Sequence, residues 1–302
     1  MDLNTTINKI KSLEIQGATN ISKAALQTFS SHSTTLKSKN KEQFFRELNR
    51  AKVKLFESRP TEPEMRNLLN YVYTKLKSSK TEDIKKLKIE TKKACNEALK
   101  LREQSFEKLI NYGSRLVKKN QIIFTHCHSS SVTQILINAH TKNKFIVHNT
   151  ETRPLFQGRM TAKELSKANI PVYHFVDSAM RLALKKADIV MIGADSITTT
   201  KVINKIGSEL LAEIANKYDI PVYICASSWK FNADTTYGIE ELIEERSSKE
   251  VWDKAPRNVR VMNYAFEKIN FNNITAIVSD LGILEPETFI QEVRKKYSWA
   301  KL

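Results

Sequence analysis

Residues 121–140 read QIIFTHCHSSSVTQILINAH. A run of apolar residues, 122–125, stops at a Thr-His-Cys-His-Ser-Ser-Ser turn, and apolar residues then recur at helical spacing over 131–140. Strand, turn and helix follow in that order. The same texture continues to the C-terminus. Apolar runs fall at 122–125, 145–148, 172–176, 189–192, 222–225 and 276–279, with helical stretches between them at 131–140, 162–168, 178–185 and 205–218. Alternating strand and helix predicts a parallel sheet with helices on both faces and right-handed connections. In such sheets ligands bind beyond the carboxyl ends of the strands, so chemistry is to be sought just after each run.

Upstream of this stretch the pattern is purely helical. Ile7, Ile10 and Leu13 share one face, and Ile21, Ala24, Ala25, Leu26 and Phe29 share another beyond a break at Gly17. A third helix spans 41–56 and stops at Arg59-Pro60, because proline disfavours helix in the residue before it. Pro63 opens a fourth, and Thr81 is placed to cap a long fifth one. No strand pattern occurs before Asn120. The chain is therefore expected to be an α/β protein in two parts, an all-helical domain over 1–120 and a parallel-sheet domain over 121–302.

The 302 residues are 41% hydrophobic and 27% charged, enough for a buried core under a soluble surface. Seven glycines and seven prolines argue against long disordered linkers. No apolar run approaches the ~20 residues that span a bilayer, and the first residues lack the apolar centre of a signal peptide. Three cysteines at wide spacing form neither a disulfide framework nor a zinc motif, which fits a cytoplasmic protein with reduced thiols. The net charge of +16 is uneven: residues 1–120 hold 26 Lys and Arg against 13 Asp and Glu. Contact with RNA or an acidic partner would use such a surface. The lysines are dispersed, with few aromatics between them, which favours solvated helix faces over direct RNA contact.

The strand ends carry the candidate site. Cys127 stands where the first strand gives way to Ser129, Ser130 and Ser131 at a helix start, where hydroxyls, amides and the helix dipole favour an anion. A cysteine there has its thiolate stabilised, or else is a small buried hydrophobe. His126 and His128 beside it lack a third ligand for a metal. Glu151 and Arg153 after the second strand suit an ion-pair network that shapes the loop. Asp195 stands at the tip of the fourth strand, after Gly193, which permits close approach of another group. A carboxylate there serves proton transfer or caps a loop. Asn204 is placed to cap a helix beginning at Lys205, whose charge suits a phosphate, and Lys230 follows the fifth strand. No GxGxxG or Walker motif is present.

The run TETRPLFQGRMTAKEL at 150–165, with VDSA at 176–179, GADSI at 193–197, VINKIGS at 202–208 and WKF at 229–231, resembles the initiation factor 2B α/β/δ superfamily. The likeness runs from about Leu13 to Val293. The superfamily holds regulatory subunits of the translation factor, ribose-1,5-bisphosphate isomerase and methylthioribose-1-phosphate isomerase. It implies a helical domain followed by a Rossmann-like one, no cofactor and no metal. It implies that Cys127 and Asp195 are catalytic in the isomerase branch, exchanging protons with a ring-opened sugar phosphate. Gly17, Ala18, Arg59, Pro60, Ser129, Ser130, Ser131, Asn204, Lys205 and Lys230 are implied to bind substrate. Symmetric dimers assembling to hexamers are implied too; Phe266, Phe271, Phe289, Tyr297 and Trp299 supply apolar material near the C-terminus.

Two positions depart from the isomerase pattern. Gln16 stands where an Arg precedes Gly-Ala, and Ser130 stands where a Lys follows Ser. Each removes a positive charge from a bisphosphate site, and each charged hydrogen bond is worth roughly 1.5–3 kcal/mol. Two readings follow. The first is an archaeal-type initiation factor 2B-like subunit that senses a sugar phosphate or nucleotide monophosphate and contacts the α subunit of translation initiation factor 2. The second is an isomerase that converts ribose 1,5-bisphosphate to ribulose 1,5-bisphosphate.

Overall fold

The computed structural model describes residues 2–297. By internal packing the chain forms two compact units. Among the described residues, one comprises 2–104, 229–231 and 294–297; the other comprises Ser105–Ser228 and Asn232–Val293.

The helical unit contains α1 (Leu3–Lys11), α2 (Ala18–Thr35), α3 (Lys41–Ser58), α4 (Pro63–Lys77) and most of α5 (Ile84–Ser114). Its core is drawn from the stripes that the sequence shows: Ile10, Leu26, Phe29, Phe44, Leu48, Leu55, Leu68 and Leu69 are fully buried. Asn40 caps α3 by accepting from the Gln43 amide. Thr81 does not cap α5 as expected. Its hydroxyl accepts from the Asp83 amide, and Asp83, one residue before the helix, accepts from the Lys85 amide at 2.8 Å. Asp83 adjoins the helix, so its carboxylate reaches the first-turn donor directly. A buried polar contact, Thr6 Oγ1 to Thr28 Oγ1 at 2.8 Å, joins α1 to α2.

The second unit holds the sheet. Its elements are β1 (Ile122–Thr125), α6 (Ser130–His140), β2 (Ile146–Thr150), α7 (Gln157–Lys167), β3 (Val172–Phe175), α8 (Met180–Leu184), β4 (Ile189–Ile192), β5 (Ser196–Ile197), β6 (Lys201–Lys205), α9 (Ser208–Lys217), β7 (Val222–Cys225), β8 (Phe266–Asn270), β9 (Ala276–Ser279) and β10 (Gly282–Leu284), with α10 (Pro286–Lys296) closing the described chain. Seven strands form one sheet in the order β10-β9-β7-β4-β1-β2-β3. All neighbours are parallel except β10 on β9. The six expected runs are its six parallel strands. β4 and β9 are buried at every position, as strands covered on both faces must be, while edge strand β3 has no fully buried position.

Four strands went unread: β10, antiparallel at the edge of the main sheet, and the three that form a separate antiparallel sheet, β5-β6-β8. β6 has the sequence KVINK, whose polar ends disguise a strand. Its presence corrects the reading of Asn204 as a helix cap. Asn204 and Lys205 lie in β6, paired with Glu267 and Phe266 of β8, and α9 begins only at Ser208 behind Gly207 at φ 99°. Among the described residues, no helix is long and apolar enough to cross a membrane.

Candidate functional site

The sheet order places the site. From β3 the strands run inward through β2 to β1, then the order reverses and continues through β4, β7 and β9. At such a reversal the connections leave to opposite sides and open a crevice beyond the carboxyl ends of the two central strands. Those strands are β1 and β4. Cys127 lies two residues beyond β1 and Asp195 three beyond β4.

The two loops meet closely. A side-chain carbon at Gly193 would stand 2.6 Å from Ser129 Oγ and 2.8 Å from its Cβ, so only glycine admits the serine that caps α6. Ser129 Oγ faces the Val132 amide at the weak distance of 3.5 Å. Ser130 is exposed and Ser131 buried at the first turn of α6. Asp195 is half-buried, its amide donating to the Ile203 carbonyl at 2.9 Å at the open end of the β5-β6 hairpin.

Cys127 adopts φ +66°, a left-handed conformation that few non-glycine residues occupy. Its amide donates to Thr152 Oγ1 at 3.0 Å, and its carbonyl accepts from Thr161 Oγ1 at 2.9 Å. Burial pushes its thiol up to about 11; the Lys205 ammonium opposes that, and Asp195 and Asp177 add to it. The thiol is therefore protonated at neutral pH, and the expectation of a thiolate stabilised at a helix start is corrected. The helix end offers too little to offset loss of water. Cys95 and Cys225 are buried, and desolvation raises both.

His126 ties three elements together. Its Nε2 lies 2.8 Å from the Ile206 carbonyl and must donate, so Nδ1 accepts from Thr150 Oγ1 at 2.5 Å. Desolvation depresses its pKa first of all, and the neutral ring results. His128 Nδ1 meets Thr161 Oγ1 at 3.1 Å. Among the described residues, no group of three His, Cys, Asp or Glu is placed to hold a metal.

The lysine side is built from β6. Lys205 is buried, with its ammonium 5.3 Å from the centre of the Phe266 ring. Asn204 Nδ2 donates to Ser208 Oγ at 2.9 Å, which donates to the Lys205 carbonyl at 2.7 Å. The start of α9 already has an anion of its own: the Glu267 carboxylate accepts from the Glu209 amide. A phosphate read onto that helix start would compete with it.

Loop residues that the sequence reading passed over hold the frame. Asp177, just beyond β3, accepts from the amides of Thr152 and Arg153 at 2.8 and 2.7 Å, where the Arg153-Pro154 bond is cis. Asp280, just beyond β9, accepts from the Ser228 amide and hydroxyl, both at 2.8 Å. Each directly follows an expected run, so the rule that singled out Asp195 also points to them. Glu151 and Arg159 pair at 3.1 Å, a loop-shaping contact as expected, though the arginine is Arg159 rather than Arg153.

The remaining candidates belong to the helical unit. Gly17 precedes α2 at φ 78°, with Ala18 opening the helix. Arg59 ends α3 and Pro60 follows it. Lys230 lies in the Trp229–Phe231 segment, where Asn67 Nδ2 donates to the carbonyls of Trp229 and Phe231, both at 2.7 Å.

A Rossmann-ordered sheet with a cysteine and an aspartate at its reversal, preceded by a helical unit, defines the class. The chain belongs to the Initiation factor 2 subunit family, whose family model matches residues 14–286. It is 35% identical to the ribose 1,5-bisphosphate isomerase of Thermococcus kodakarensis, over 97% of this chain and 94% of that protein. It is 32% identical to the methylthioribose-1-phosphate isomerase of Caldanaerobacter subterraneus subsp. tengcongensis, over 92% of this chain and 86% of that one. Among solved structures, the translation initiation factor eIF-2B of Pyrococcus horikoshii OT3 superposes with a TM-score of 0.81 at 25% identity, covering 96% of this chain and 98% of that one.

Proposed function

We propose that this protein is a ribose 1,5-bisphosphate isomerase. The observation that carries the reading is the pairing of Cys127 and Asp195 beyond adjacent strands at the sheet reversal, in a chain alike over nearly its whole length to a protein of that name. The reaction keeps every hydrogen. The hydrogen on C2 is exchanged for one on C1, the C2 hydroxyl becomes a carbonyl, and the ring oxygen ends as the C4 hydroxyl. Two groups that give and take protons suffice. Cys127, protonated at neutral pH, supplies the donor and Asp195 the acceptor. Lys205, Asn204 and the serines Ser129, Ser130 and Ser131 bind the sugar phosphate in this reading, as do Gly17, Ala18, Arg59, Pro60 and Lys230 from the helical unit. A cytoplasmic location accompanies it.

Incubating the purified chain with ribose 1,5-bisphosphate and watching for the ketone carbon by 13C NMR tests the reading directly. Ketone is expected, and Cys127→Ser and Asp195→Asn should each abolish it. No turnover by the native chain overturns the activity; turnover that survives both changes overturns the roles.

Gln16 and Ser130 favour a second reading, the sensing subunit, because two cations expected around a bisphosphate are absent from those positions. Micromolar binding to the α subunit of translation initiation factor 2, together with a thermal shift from AMP but none from ribose 1,5-bisphosphate, would establish it instead. In either reading the chain assembles as a homodimer and then a hexamer. Phe266, Phe271, Phe289 and Tyr297 are buried within the chain itself, and Trp299 lies outside the described residues. Exposed Ile239, Leu242, Trp252 and Tyr264 are the better interface candidates.

A further inference from the structure

We infer that Thr152 and Thr161 are positioning residues that lock the Cys127 peptide in its left-handed conformation and so aim the thiol; this rests on the isomerase reading for its catalytic consequence. The clamp has two jaws. Thr152, fully buried in the loop after β2, takes the Cys127 N–H on its hydroxyl oxygen at 3.0 Å. Thr161, buried on α7, gives its hydroxyl hydrogen to the Cys127 carbonyl at 2.9 Å. The two jaws therefore grip the same residue from both sides, across φ and ψ.

Neither hydroxyl has freedom to turn away. The Thr152 hydroxyl hydrogen has two acceptors, the Thr150 carbonyl at 3.4 Å and His126 Nδ1 at 3.5 Å, and either one leaves its lone pairs for Cys127. The Thr152 amide is itself held by Asp177 at 2.8 Å. Thr161 has one hydrogen, already given to Cys127, so His128 Nδ1 must donate to it at 3.1 Å. A residue with a Cβ holds φ +66° only when its surroundings over-determine it. Here two buried side chains, each fixed by a second partner, do so. Without them the cysteine relaxes to an ordinary conformation, which swings the thiol away from its place beside Lys205 and Asp195 and toward water.

Thr152→Val and Thr161→Val keep the branched shape and remove the hydroxyl; Thr152→Ser and Thr161→Ser keep the hydroxyl. The readout is iodoacetamide alkylation at fixed pH, quantified by mass spectrometry on the tryptic peptide that carries Cys127. Each Val variant is expected to be alkylated about tenfold faster, since a better-solvated thiol ionises more readily, and each Ser variant within about twofold of the native chain. With ribose 1,5-bisphosphate, each Val variant should lose kcat by about tenfold or more at a KM changed less than about threefold, and Ser should restore it. The two jaws act on opposite sides, so if one Val variant fails to fold the other still tests the clamp. Folded Val variants with native alkylation rates would overturn it. Altered alkylation without turnover in any variant, the native chain included, would keep the clamp and remove the isomerase.

Discussion

Gly158 shows how much one residue can decide. A Cβ there would lie 1.7 Å from the Thr150 carbonyl oxygen and 2.8 Å from its carbon, both backbone atoms that no rotamer change can move. Gly158 also supplies the carbonyl on which Asn149 Nδ2 rests at 2.7 Å. Gly158→Ala must push α7 off the end of β2, and with it Thr161. A loss of about 3 kcal/mol or more is expected, with the thermal midpoint falling accordingly or soluble protein failing to accumulate. Substitution at Gly17 differs in kind: the space around it is open, and only its φ of +78° resists a side chain. At this scale Cys127 and Asp195 were legible in the sequence because both follow apolar runs. Thr152, Thr161 and His126 were not, because each works through a hydrogen bond to a residue from a different element, and pattern alone does not reveal such pairings.

Elements differ in how openly the sequence announces them. The parallel strands are short apolar runs because helices cover both faces, and all six were readable. β8 reads FEKIN, with only Phe266 and Ile269 buried and three residues apart, and β6 ends in the polar Asn204 and Lys205; both were hidden. Asn204 and Lys205 at the end of β6 imitate a helix entry that in fact lies three residues further on, at Gly207 and Ser208. The joint between β7 and β9 is likewise a matter of elements. Asp280 receives both donors of Ser228, a buried residue, so the two strand ends are stapled beyond the last ladder bond. Asp280→Asn turns one accepting oxygen into a donor, so the Ser228 hydroxyl must rotate to accept from it and its own hydrogen loses the carboxylate. It should cost about 1–3 kcal/mol, measured as a lower urea midpoint with unchanged slope. On the helical side, lysines lie over aromatic rings of their own chain. Lys52 Nζ stands 4.3 Å from the centre of the Tyr73 ring, and Lys77 Nζ 5.3 Å from it. That ring is covered by cations rather than offered as a stacking platform.

For the molecule as a whole, acid is the informative perturbant. His126 is held neutral with its pKa below 6.5, chiefly by desolvation. Its unfolded form binds a proton near 6.5 while the folded form resists. Its contribution to stability is therefore fully present above pH 6.5 and is lost as pH falls toward the folded value. His32 and His140 are depressed for the same leading reason and add to the slope. Thermal midpoints measured from pH 7.5 to 5 should fall with acidification. His126→Asn should be less stable at pH 7.5 and show a shallower fall; an unchanged slope would mean that His126 is not the group titrating.

The segment Trp229–Phe231, pinned by Asn67, carries a consequence for how the chain is made. The helical unit is not a contiguous stretch: it draws in three residues from beyond β7 and the end of α10. Asn67 is buried, and its amide is satisfied by carbonyls that leave the ribosome long after α4 does. An emerging N-terminal portion therefore holds an unmet donor and an unfilled place for Trp229 beside Tyr71. Synthesis order and folding order part company here. The helices that are translated first are completed only after the central strands of the sheet have been made.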